Sequence, residues 1–478
     1  MLYVAPSLKI LLVTHGFPPH RTAGTETYTA ELGVALRARG HDVAVFTALK
    51  DISRPDYQLT RREHRGLVVH ELVNNLFHRD FVETYQNPRV ESAFDAVVES
   101  FRPDVVHVQH LLYLSSGLVP RARARGAAIL FTLHDFWLQC PRLGQRIHAD
   151  GGLCDTIDFA RCGTCLPSFK FGQGDFERRV GGVLAGLRAG TGIDLGPIAR
   201  GVSARLGKKN KKLADVDRAG EEALDPVVAD RFARAADSRT RALKHAVVPA
   251  VDLFLAPSRF LRDRFVDEWG VPPDRVEHLR FGVDLDAFAW RPRSTSDKLR
   301  VSFLGSLVPL KGPHVLLDAW SRLDADVRAR GRLALHGPAL HHPEYQAQLA
   351  RAAAACGAVL GGPLDRDGVA RALAATDLLV VPSLWFENSP LVILEAIASR
   401  TPLLVSNLGG MAELVEPGVS GYHFAMGDAA DLAQKLLLAL EGRLGLDRLY
   451  ARPPELPRFD AHVDAVLERY ARFARATR

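Results

Sequence analysis

The chain has 478 residues, 47% hydrophobic and 24% charged, with a formal net charge of +6 and a pI near 9.1. This length exceeds what one hydrophobic core usually serves, and the small basic excess does not indicate nucleic-acid binding. Since no apolar run reaches the ~18 residues of a membrane span and no secretory leader is evident, we expect a cytoplasmic protein that binds no nucleic acid.

The first half of the chain alternates strands and helices. Residues 9–14 are predicted to be a strand, followed by an irregular Pro/Gly-rich loop at 15–25 and a helix that closes at Arg39-Gly40. That loop is not GxGxxG, so a dinucleotide fingerprint is not supported. The remaining predicted elements are strands at 42–47, 67–72, 104–109, 128–133 and 251–256, and helices at 89–101 and 258–269.

A polar stretch without periodicity, residues 291–297, is the best candidate for a linker. The alternation of strands and helices begins again after this stretch. The predicted strands are 299–304, 332–336, 377–381 and 402–406, and the helices include 315–323, 366–375 and 459–476. Two successive runs of alternation predict an α/β protein with two Rossmann-like domains.

The most informative stretch is 381–396, where a buried strand leads into a helix. Ser389 is predicted to cap this helix and Pro390 to take its first position. The first helical amides, at Leu391 and its neighbour, can bind an anion such as phosphate. Glu395 lies one turn further on the same face, where its carboxylate can bind a sugar diol. Glu387 lies in the loop before this helix, and its side chain is expected to face the part of the ligand that lies beyond the phosphate.

Two other loops follow predicted strands. Gly305-Ser306 leads to Lys311, which could reach a phosphate or could be a surface lysine at a helix start. Gly409-Gly410 opens a helix after the next strand. This pair could let the backbone approach a ligand, or it could form only a tight turn.

Four cysteines, Cys140, Cys154, Cys162 and Cys165, fall within 26 residues. A CxxC pair with two further thiols could bind a structural zinc ion, hold an iron–sulfur or redox pair, or remain as free thiols. The zinc interpretation leads, although the first spacing is long for a zinc finger. Cys356 is expected to be a buried packing residue.

Residues 167–245 break the alternation and include the basic run 208–212. This segment is either a solvated helical insertion or a basic patch for an anionic membrane surface or a polyanionic acceptor. The second interpretation would allow peripheral association with the inner face of a membrane.

Taken together, these motifs resemble the family 4 glycosyltransferases of the GT-B fold, which are retaining enzymes that need no catalytic metal. The resemblance covers nearly all of the chain except about residues 140–245. It is carried by Phe17-Pro-Pro with Ala23-Gly-Thr-Glu26, Gly40-His-Asp-Val43, Asp104–His107, Thr132–Asp135, Ala256–Leu261, Phe281–Asp284, Gly305 with Lys311-Gly312, and Glu387 with Glu395.

The resemblance implies roles for the residues of the second domain. Glu395 would bind the ribose hydroxyls of a nucleotide, and Glu387 would contact the transferred sugar. Lys311 and the amides near Leu391 would neutralise the diphosphate. Ser306 stands where the family often has arginine, so Lys311 must carry more of that charge or another arginine must replace it. Asn388, Ser389, Gly305 and Gly410 complete the expected donor-binding set.

In the first domain the resemblance implies that Gly24 and Thr25 approach the phosphate and the acceptor. His134 would be the family histidine beside the transferred sugar, and it joins Glu387 and Lys311 as an expected catalytic residue. The active cleft would lie between the two domains.

The resemblance also predicts a domain plan. Residues 1–290 would form the acceptor domain, with an insertion containing the cysteines at about 140–245. Residues 291–456 would form the nucleotide-sugar domain, and the helix at 457–478 would cross back to the first domain.

The expected activity is transfer of a sugar from a nucleotide-diphosphate sugar to a saccharide or lipid-linked saccharide, in bacterial surface polysaccharide or glycoconjugate synthesis. No cofactor is expected for catalysis, and a structural zinc ion could be present. The alternatives are a GT-B phosphorylase, a sugar-nucleotide epimerase, or a non-enzymatic zinc-bearing protein that binds anionic polymers.

Overall fold

A computed structural model of the protein describes residues 7–191, 225–339 and 343–476. The chain forms two compact units. Unit 1 comprises residues 1–255, 266–277 and 466–478, and unit 2 comprises residues 256–265 and 278–465. The predicted domain boundaries at 290 and 456 stay predictions.

Unit 1 is built on an eight-stranded sheet in the order β3-β4-β2-β1-β5-β6-β7-β8. Strand β3 pairs antiparallel with β4, whereas β4, β2, β1, β5, β6 and β7 pair in parallel along the sheet. The strands are β1 Lys9–Thr14, β2 Asp42–Leu49, β3 Leu59–His64, β4 Leu67–Val73, β5 Val105–Val108, β6 Ala128–Thr132, β7 Leu253–Ala256 and β8 Val276–His278.

Parallel neighbours need crossover connections, and helices provide them between β1 and β2, β5 and β6, and β6 and β7, whereas β3 lies between β2 and β4 in the chain. The helices before the second unit's sheet are α1 Gly24–Ala38, α2 Pro88–Phe101, α3 Leu118–Ala124, α4 Phe159–Cys165, α5 Asp175–Thr191, α6 Pro226–Ala246 and α7 Arg259–Asp267. Helices α4 to α6 fall in the region predicted as an insertion. The basic run 208–212 lies outside the described residues.

Unit 2 has a six-stranded sheet in the order β11-β10-β9-β12-β13-β14, and its pairs are parallel. The strands are β9 Leu299–Leu304, β10 Gly331–His336, β11 Val359–Gly361, β12 Leu378–Val381, β13 Leu403–Ser406 and β14 Gly421–Phe424. The helices are α8 Pro313–Ser321, α9 Ala325–Arg328, α10 Pro343–Cys356, α11 Arg366–Ala374, α12 Leu391–Ala398, α13 Gly409–Leu414 and α14 Ala429–Leu440. The last helix, α15 Phe459–Ala476, begins in unit 2 and ends in unit 1.

The central strands of both sheets are buried along their whole length, as expected for parallel strands with helices on both faces. All residues of β5, β6, β7, β12 and β13 are buried. The prediction of an α/β fold is therefore confirmed, and most of the predicted strands agree with the structure to within two residues.

Some details of the prediction were wrong. Strands β3, β8, β11 and β14 were missed because they are short, partly exposed or charged, and so lack a buried apolar run. The loop at 15–25 was drawn too long, since helix α1 already begins at Gly24. Within the described residues, no helix is long and apolar enough to cross a membrane.

Candidate functional site

In unit 2, the loop at 382–390, named here the Glu387 loop, joins β12 to α12. It follows the carboxyl end of a parallel strand, where open α/β sheets bind ligands. The predicted cap is wrong by one residue: Pro390, with ψ of 120°, is the N-cap, and the helix begins at Leu391. Because that ψ is extended, Pro390 lies outside the helix, and Ser389 is too far back to cap it.

The Glu387 carboxylate is the centre of the loop. Its Oε1 accepts hydrogen bonds from Ser383 Oγ at 3.0 Å and from Trp385 Nε1 at 2.8 Å. The same oxygen lies 2.5 Å from Lys311 Nζ, and this ammonium also lies 5.7 Å from the Trp385 ring centroid. Glu387 is buried, so these three donors compensate for its loss of water.

Two glycines let neighbouring segments approach this loop. Gly312 has φ of +68°, and a Cβ there would lie 1.9 Å from the carbonyl oxygen of Pro382. At Gly410 a Cβ would lie 1.6 Å from the carbonyl oxygen of Asn388, and the Gly410 amide donates to the Glu387 carbonyl at 2.9 Å. The predicted close approach at Gly410 is therefore to the protein's own backbone. The ligand contact expected there stays a prediction.

Asn388 and Ser389 differ in their partners. The Asn388 amide oxygen accepts a hydrogen bond from Ser258 Oγ at 2.5 Å, which ties the loop to residues 256–265 of the same unit. Ser389 is buried, and its hydroxyl finds no hydrogen-bond partner among the described residues. Beside it, the first amides of α12 have no intrahelical acceptor, since the ladder starts with Ile393 donating to Pro390. Leu391 therefore begins a helix terminus suited to an anion.

Glu395 lies half-buried on α12, one turn beyond Leu391. Desolvation raises its pKa to about 7, and the positive charge of Arg366 acts in the opposite direction. Arg366 itself donates to Asp284 Oδ2 at 2.7 Å. Glu395 can therefore be protonated or ionised near neutral pH.

The loop after β9 contains Gly305 and Ser306. The Gly305 amide donates to the His336 carbonyl at 3.0 Å, and the Ser306 carbonyl accepts from Val308 at 2.9 Å. These contacts fix the backbone that leads to Lys311. The arginine expected from the resemblance is absent here, and Arg366 is the cation whose charge acts on Glu395.

In unit 1, polar side chains gather after β1, β5 and β6, and they form what we call the histidine cluster: His15, Glu26, His110, His134 and Asp135. His15 Nε2 lies 3.2 Å from Glu26 Oε1, and the His15 and His110 rings are 4.4 Å apart. His110 Nε2 donates to Asp135 Oδ2 at 2.9 Å.

Burial determines the charge of this cluster. Desolvation alone would raise the pKa of Glu26, but the hydrogen bond and charge of His15 outweigh it and lower that pKa to about 2. Burial, followed by the charge of His110, lowers the pKa of His134 to about 3. The cluster thus holds an ionised Glu26 and a neutral His134 at neutral pH.

His134 is held on two sides. Its Nε2 donates to Gln109 Oε1 at 2.9 Å, and its ring meets the Tyr28 ring edge-on with centroids 5.3 Å apart. His134, Gln109 and His110 line one pocket with Trp137. Gly24 and Thr25 lie at the start of α1, where Gly24 is exposed and Thr25 is half-exposed.

The four clustered cysteines line a second pocket in unit 1, together with Arg142, Arg146 and His148. All five cysteines fall in the described ranges, and none forms a disulfide. In the positions they occupy, no three His, Cys, Asp or Glu residues of the described ranges form a group that could hold a metal ion. Cys356 is buried at the end of α10, as predicted.

Sequence reasoning assigned no role to several residues that build these sites. Ser383 and Trp385 position Glu387. The charges of His110, Asp135, His15 and Glu26 act on His134. The available signal was that most of these residues lie within a few positions of the end of a buried strand, whereas Glu26 lies on α1. The arrangement in unit 2 can bind an anion beside a diol, and that in unit 1 can bind neutral hydroxyl groups.

Comparisons with known proteins match both units. A family model described as Glycosyl transferase 4-like domain matches residues 23–154, in unit 1. A model described as Glycosyl transferases group 1 matches residues 286–452, in unit 2. Together they match more than half of the chain.

A curated relative, D-inositol 3-phosphate glycosyltransferase of Nocardioides sp. (strain ATCC BAA-499 / JS614), is 35% identical over 227 residues. The match covers 43% of this chain and 49% of that protein. The chain spans about half the length of the curated relatives it matches.

Two solved structures illustrate the fold. Sucrose-phosphate synthase from Thermosynechococcus elongatus has a TM-score of 0.61 and 17% identity, covering 98% of this chain and 99% of that chain. HepE of Anabaena, in complex with UDP and glucose, has a TM-score of 0.56 and 14% identity, covering 98% of each chain. Identities this low establish the fold alone.

Proposed function

The chain belongs to the GT-B glycosyltransferases of family 4, and we propose that it transfers a sugar, with retention and without a catalytic metal, from a nucleotide-diphosphate sugar to a saccharide or lipid-linked saccharide. The pathway would be synthesis of a bacterial surface polysaccharide or glycoconjugate. One observation carries the proposal: Lys311 pairs with Glu387 in the loop that leads into α12, and Glu395 lies one turn into that helix.

The diphosphate of the donor would bind at the start of α12. The helix dipole, the free amides from Leu391 onward and the unpaired Ser389 hydroxyl all favour an anion there. Glu395, one turn further, would accept hydrogen bonds from the ribose diol when it is ionised. The crystal structure of HepE with UDP and glucose shows that a protein of this fold accommodates such ligands.

Lys311 would stabilise the leaving group. Cleavage of the bond between the sugar C1 and the diphosphate leaves negative charge on the departing phosphate, and a cation already in place lowers that barrier. Lys311 is held against the loop that precedes α12 by Glu387 and Trp385. The acceptor hydroxyl would form the new bond to C1 on the same face and give its proton to the departing phosphate.

His134 would contact the transferred sugar. A neutral imidazole can exchange hydrogen bonds with sugar hydroxyls without attracting the diphosphate, and burial keeps this histidine neutral. Gln109 fixes its Nε2–H, since that nitrogen donates to the Gln109 side chain. Gly24 and Thr25 would approach the acceptor.

The test is a panel of nucleotide sugars, scored first by thermal shift and then by the mass of the product. Stabilisation by one nucleoside diphosphate and a product heavier by one sugar are expected. The acceptor panel should contain a phosphorylated polyol, because curated relatives are named for D-inositol 3-phosphate. NMR of the product anomer tests retention, and assays without added divalent cations test metal independence.

A phosphorylase would give a different result. It would need orthophosphate and would cleave a glycoside without releasing a nucleoside diphosphate. If no nucleoside diphosphate stabilises the protein or is released, the proposed transfer reaction is wrong.

A further inference from the structure

The cysteine segment, residues 140–165, is a compact part of unit 1 with little regular structure. Cys140 ends a turn, and Cys154 follows a short antiparallel bridge between Ile147 and Leu153. Cys162 and Cys165 lie on α4, one turn apart. Although they come from three different local structures, the four thiols line the same pocket.

Four sulfur ligands on the wall of one pocket match the number that a structural zinc site uses. None of the four thiols forms a disulfide, and all four cysteines lie in the described ranges.

Arginines surround the pocket and could balance a negative centre. Arg142 Nη1 lies 3.7 Å from Cys165 Sγ, and Arg146 and Arg161 line the same pocket. One zinc ion with four thiolates carries a net charge of about −2. Neutral thiols would interact only weakly with these positively charged guanidinium groups.

Two buried nitrogens support this charge argument. Arg142 Nε and Arg146 Nη2 are buried and find no hydrogen-bond acceptor among the described residues. The rest of the Arg146 side chain is well bonded, to Gln139 Oε1 at 2.7 Å, Glu268 Oε2 at 2.5 Å and the Cys154 carbonyl at 2.8 Å. Metal-bound thiolates accept hydrogen bonds better than thiols do, so they would satisfy these donors.

The other candidate ligands of the pocket are already engaged. His148 Nδ1 accepts from the Asp150 amide at 3.3 Å, and its Nε2 bonds to Thr164 Oγ1 at 3.0 Å. Asp158 caps α4 by accepting from the Arg161 amide at 3.2 Å. The thiols are therefore the side chains left to bind a cation.

We propose that Cys140, Cys154, Cys162 and Cys165 bind one structural zinc ion as four thiolates. The four thiol protons pass to solvent on binding, and the sulfur set is one that favours Zn²⁺ in tetrahedral geometry. The thiols as they stand do not form a metal-holding group, so binding requires their side chains to turn toward a common centre.

The position of the site near His134 in the chain indicates a role beyond local stability. Cys140 follows His134 by six residues, and the intervening carbonyls of Trp137 and Leu138 accept hydrogen bonds from the buried Arg239 at 2.7 Å and 3.3 Å. A metal centre would fix the far end of this same segment. This inference does not depend on the proposed sugar transfer.

The experiment measures zinc in the full chain, purified anaerobically under reducing conditions from zinc-supplied medium. One zinc per chain is expected in the wild type and in Cys356→Ser, a matched control whose buried cysteine lies in unit 2. Cys154→Ser and Cys162→Ser should lose zinc affinity by more than the roughly tenfold that second-shell changes cause.

Thiol reactivity of the wild type serves as a second measurement in case the variants do not fold. A strong chelator should expose four additional thiols per chain, and cobalt(II) substitution should give the absorption of a tetrahedral thiolate complex. Absence of zinc from the wild type, iron in its place, zinc retained in Cys154→Ser, or disulfides in the anaerobic protein would each overturn the proposal. Thermal shifts with nucleotide sugars, which report on unit 2, keep this result separate from the test of sugar transfer.

Discussion

The Glu387 loop of unit 2 and the histidine cluster of unit 1 both follow the carboxyl ends of parallel strands, yet their electrostatics differ. The Glu387 loop combines a lysine, a carboxylate and a free helix terminus. The histidine cluster buries an ionised Glu26 beside His15, whose own pKa is lowered by burial, and leaves His134 neutral. The difference suggests a division of labour, in which unit 2 binds the charged part of the donor and unit 1 contacts uncharged hydroxyl groups.

Substitution of Lys311 should have the largest effect on activity. We expect Lys311→Met to lower kcat about 10²–10³-fold, because one group that stabilises developing charge is typically worth that much. The free energy of unfolding should fall as well, since the buried Glu387 carboxylate loses its cation. Steady-state kinetics and urea unfolding measure the two effects.

Lys298→Met, a change of the same type elsewhere in unit 2, is the control. The double variant Lys311→Met/Glu387→Gln should regain stability without regaining activity, because it removes the uncompensated charge but not the need for a cation. Full activity in Lys311→Met would show that the Lys311 ammonium has no role in the proposed reaction.

His134 provides the corresponding test in unit 1. His134→Phe should lower kcat by about 10²-fold, since a positioned hydrogen-bonding group is lost, while leaving nucleoside diphosphate affinity within about twofold. Kinetics and calorimetry separate the two parameters. His245→Phe changes an exposed histidine of the same unit and should change neither. A large loss of nucleotide affinity in His134→Phe would break the division of labour.

The two sites were not equally predictable from sequence. The Glu387 loop and the helix after it are continuous in sequence from Ser383 to Glu395, so the preceding strand, the helix start and the two acids could be found from spacing alone. Only the network around Glu387 was missed, since Ser383 and Trp385 have no signature as hydrogen-bond donors to a particular carboxylate.

The histidine cluster joins residues from four separate segments, between His15 and Asp135. Which strand ends lie side by side depends on the sheet order, and no local pattern gives it. The sequence therefore pointed to His134 through family resemblance, while its neighbours could be found only in the fold. The cysteines are intermediate: their spacing suggested a shared site, and the structure shows that they line one pocket.

The buried pair of Glu26 and His15 makes a prediction about stability. Because the folded pKa of Glu26, about 2, lies below its ordinary value, ionised Glu26 stabilises the fold above about pH 4.5, and this contribution is lost as the pH falls toward 2. Glu26→Gln should thus lower the free energy of unfolding by about 2 kcal/mol at pH 7, with a smaller difference at pH 3.

Urea unfolding of the full chain at both pH values measures this effect. Glu63→Gln, at an exposed position on β3, should be nearly neutral throughout. An equal loss at pH 7 and pH 3 would show that packing, rather than the ionised carboxylate, accounts for the cost.

Glu395 gives unit 2 a pH dependence that unit 1 should lack. Its pKa is raised to about 7 by burial, and the ribose diol would bind the ionised form. Affinity for a nucleotide sugar should therefore fall by up to about tenfold from pH 8 to pH 6. Glu395→Gln should bind weakly at both pH values, and it should stabilise the free protein at pH 8, where the wild type buries an ionised carboxylate.

Calorimetry with Glu416→Gln, an exposed acid of unit 2, controls for general charge effects. An unchanged pH profile in Glu395→Gln would assign the titration to another group.

The smallest effect should come from Ser389, whose hydroxyl is buried without a partner among the described residues. Removing an unpaired hydroxyl costs the free protein little, so Ser389→Ala should unfold at the wild-type urea concentration or slightly above it. If the hydroxyl instead meets a donor phosphate, the same change should weaken nucleotide-sugar binding by about 3–10-fold, the net value of one ordinary hydrogen bond. Ser383→Ala is the matched comparison, because Ser383 already donates to Glu387 and its loss should reduce stability. Equal behaviour of the two serine variants would mean that the Ser389 hydroxyl is not held for a ligand. The charged site would then consist of Lys311, Glu387 and the helix amides alone.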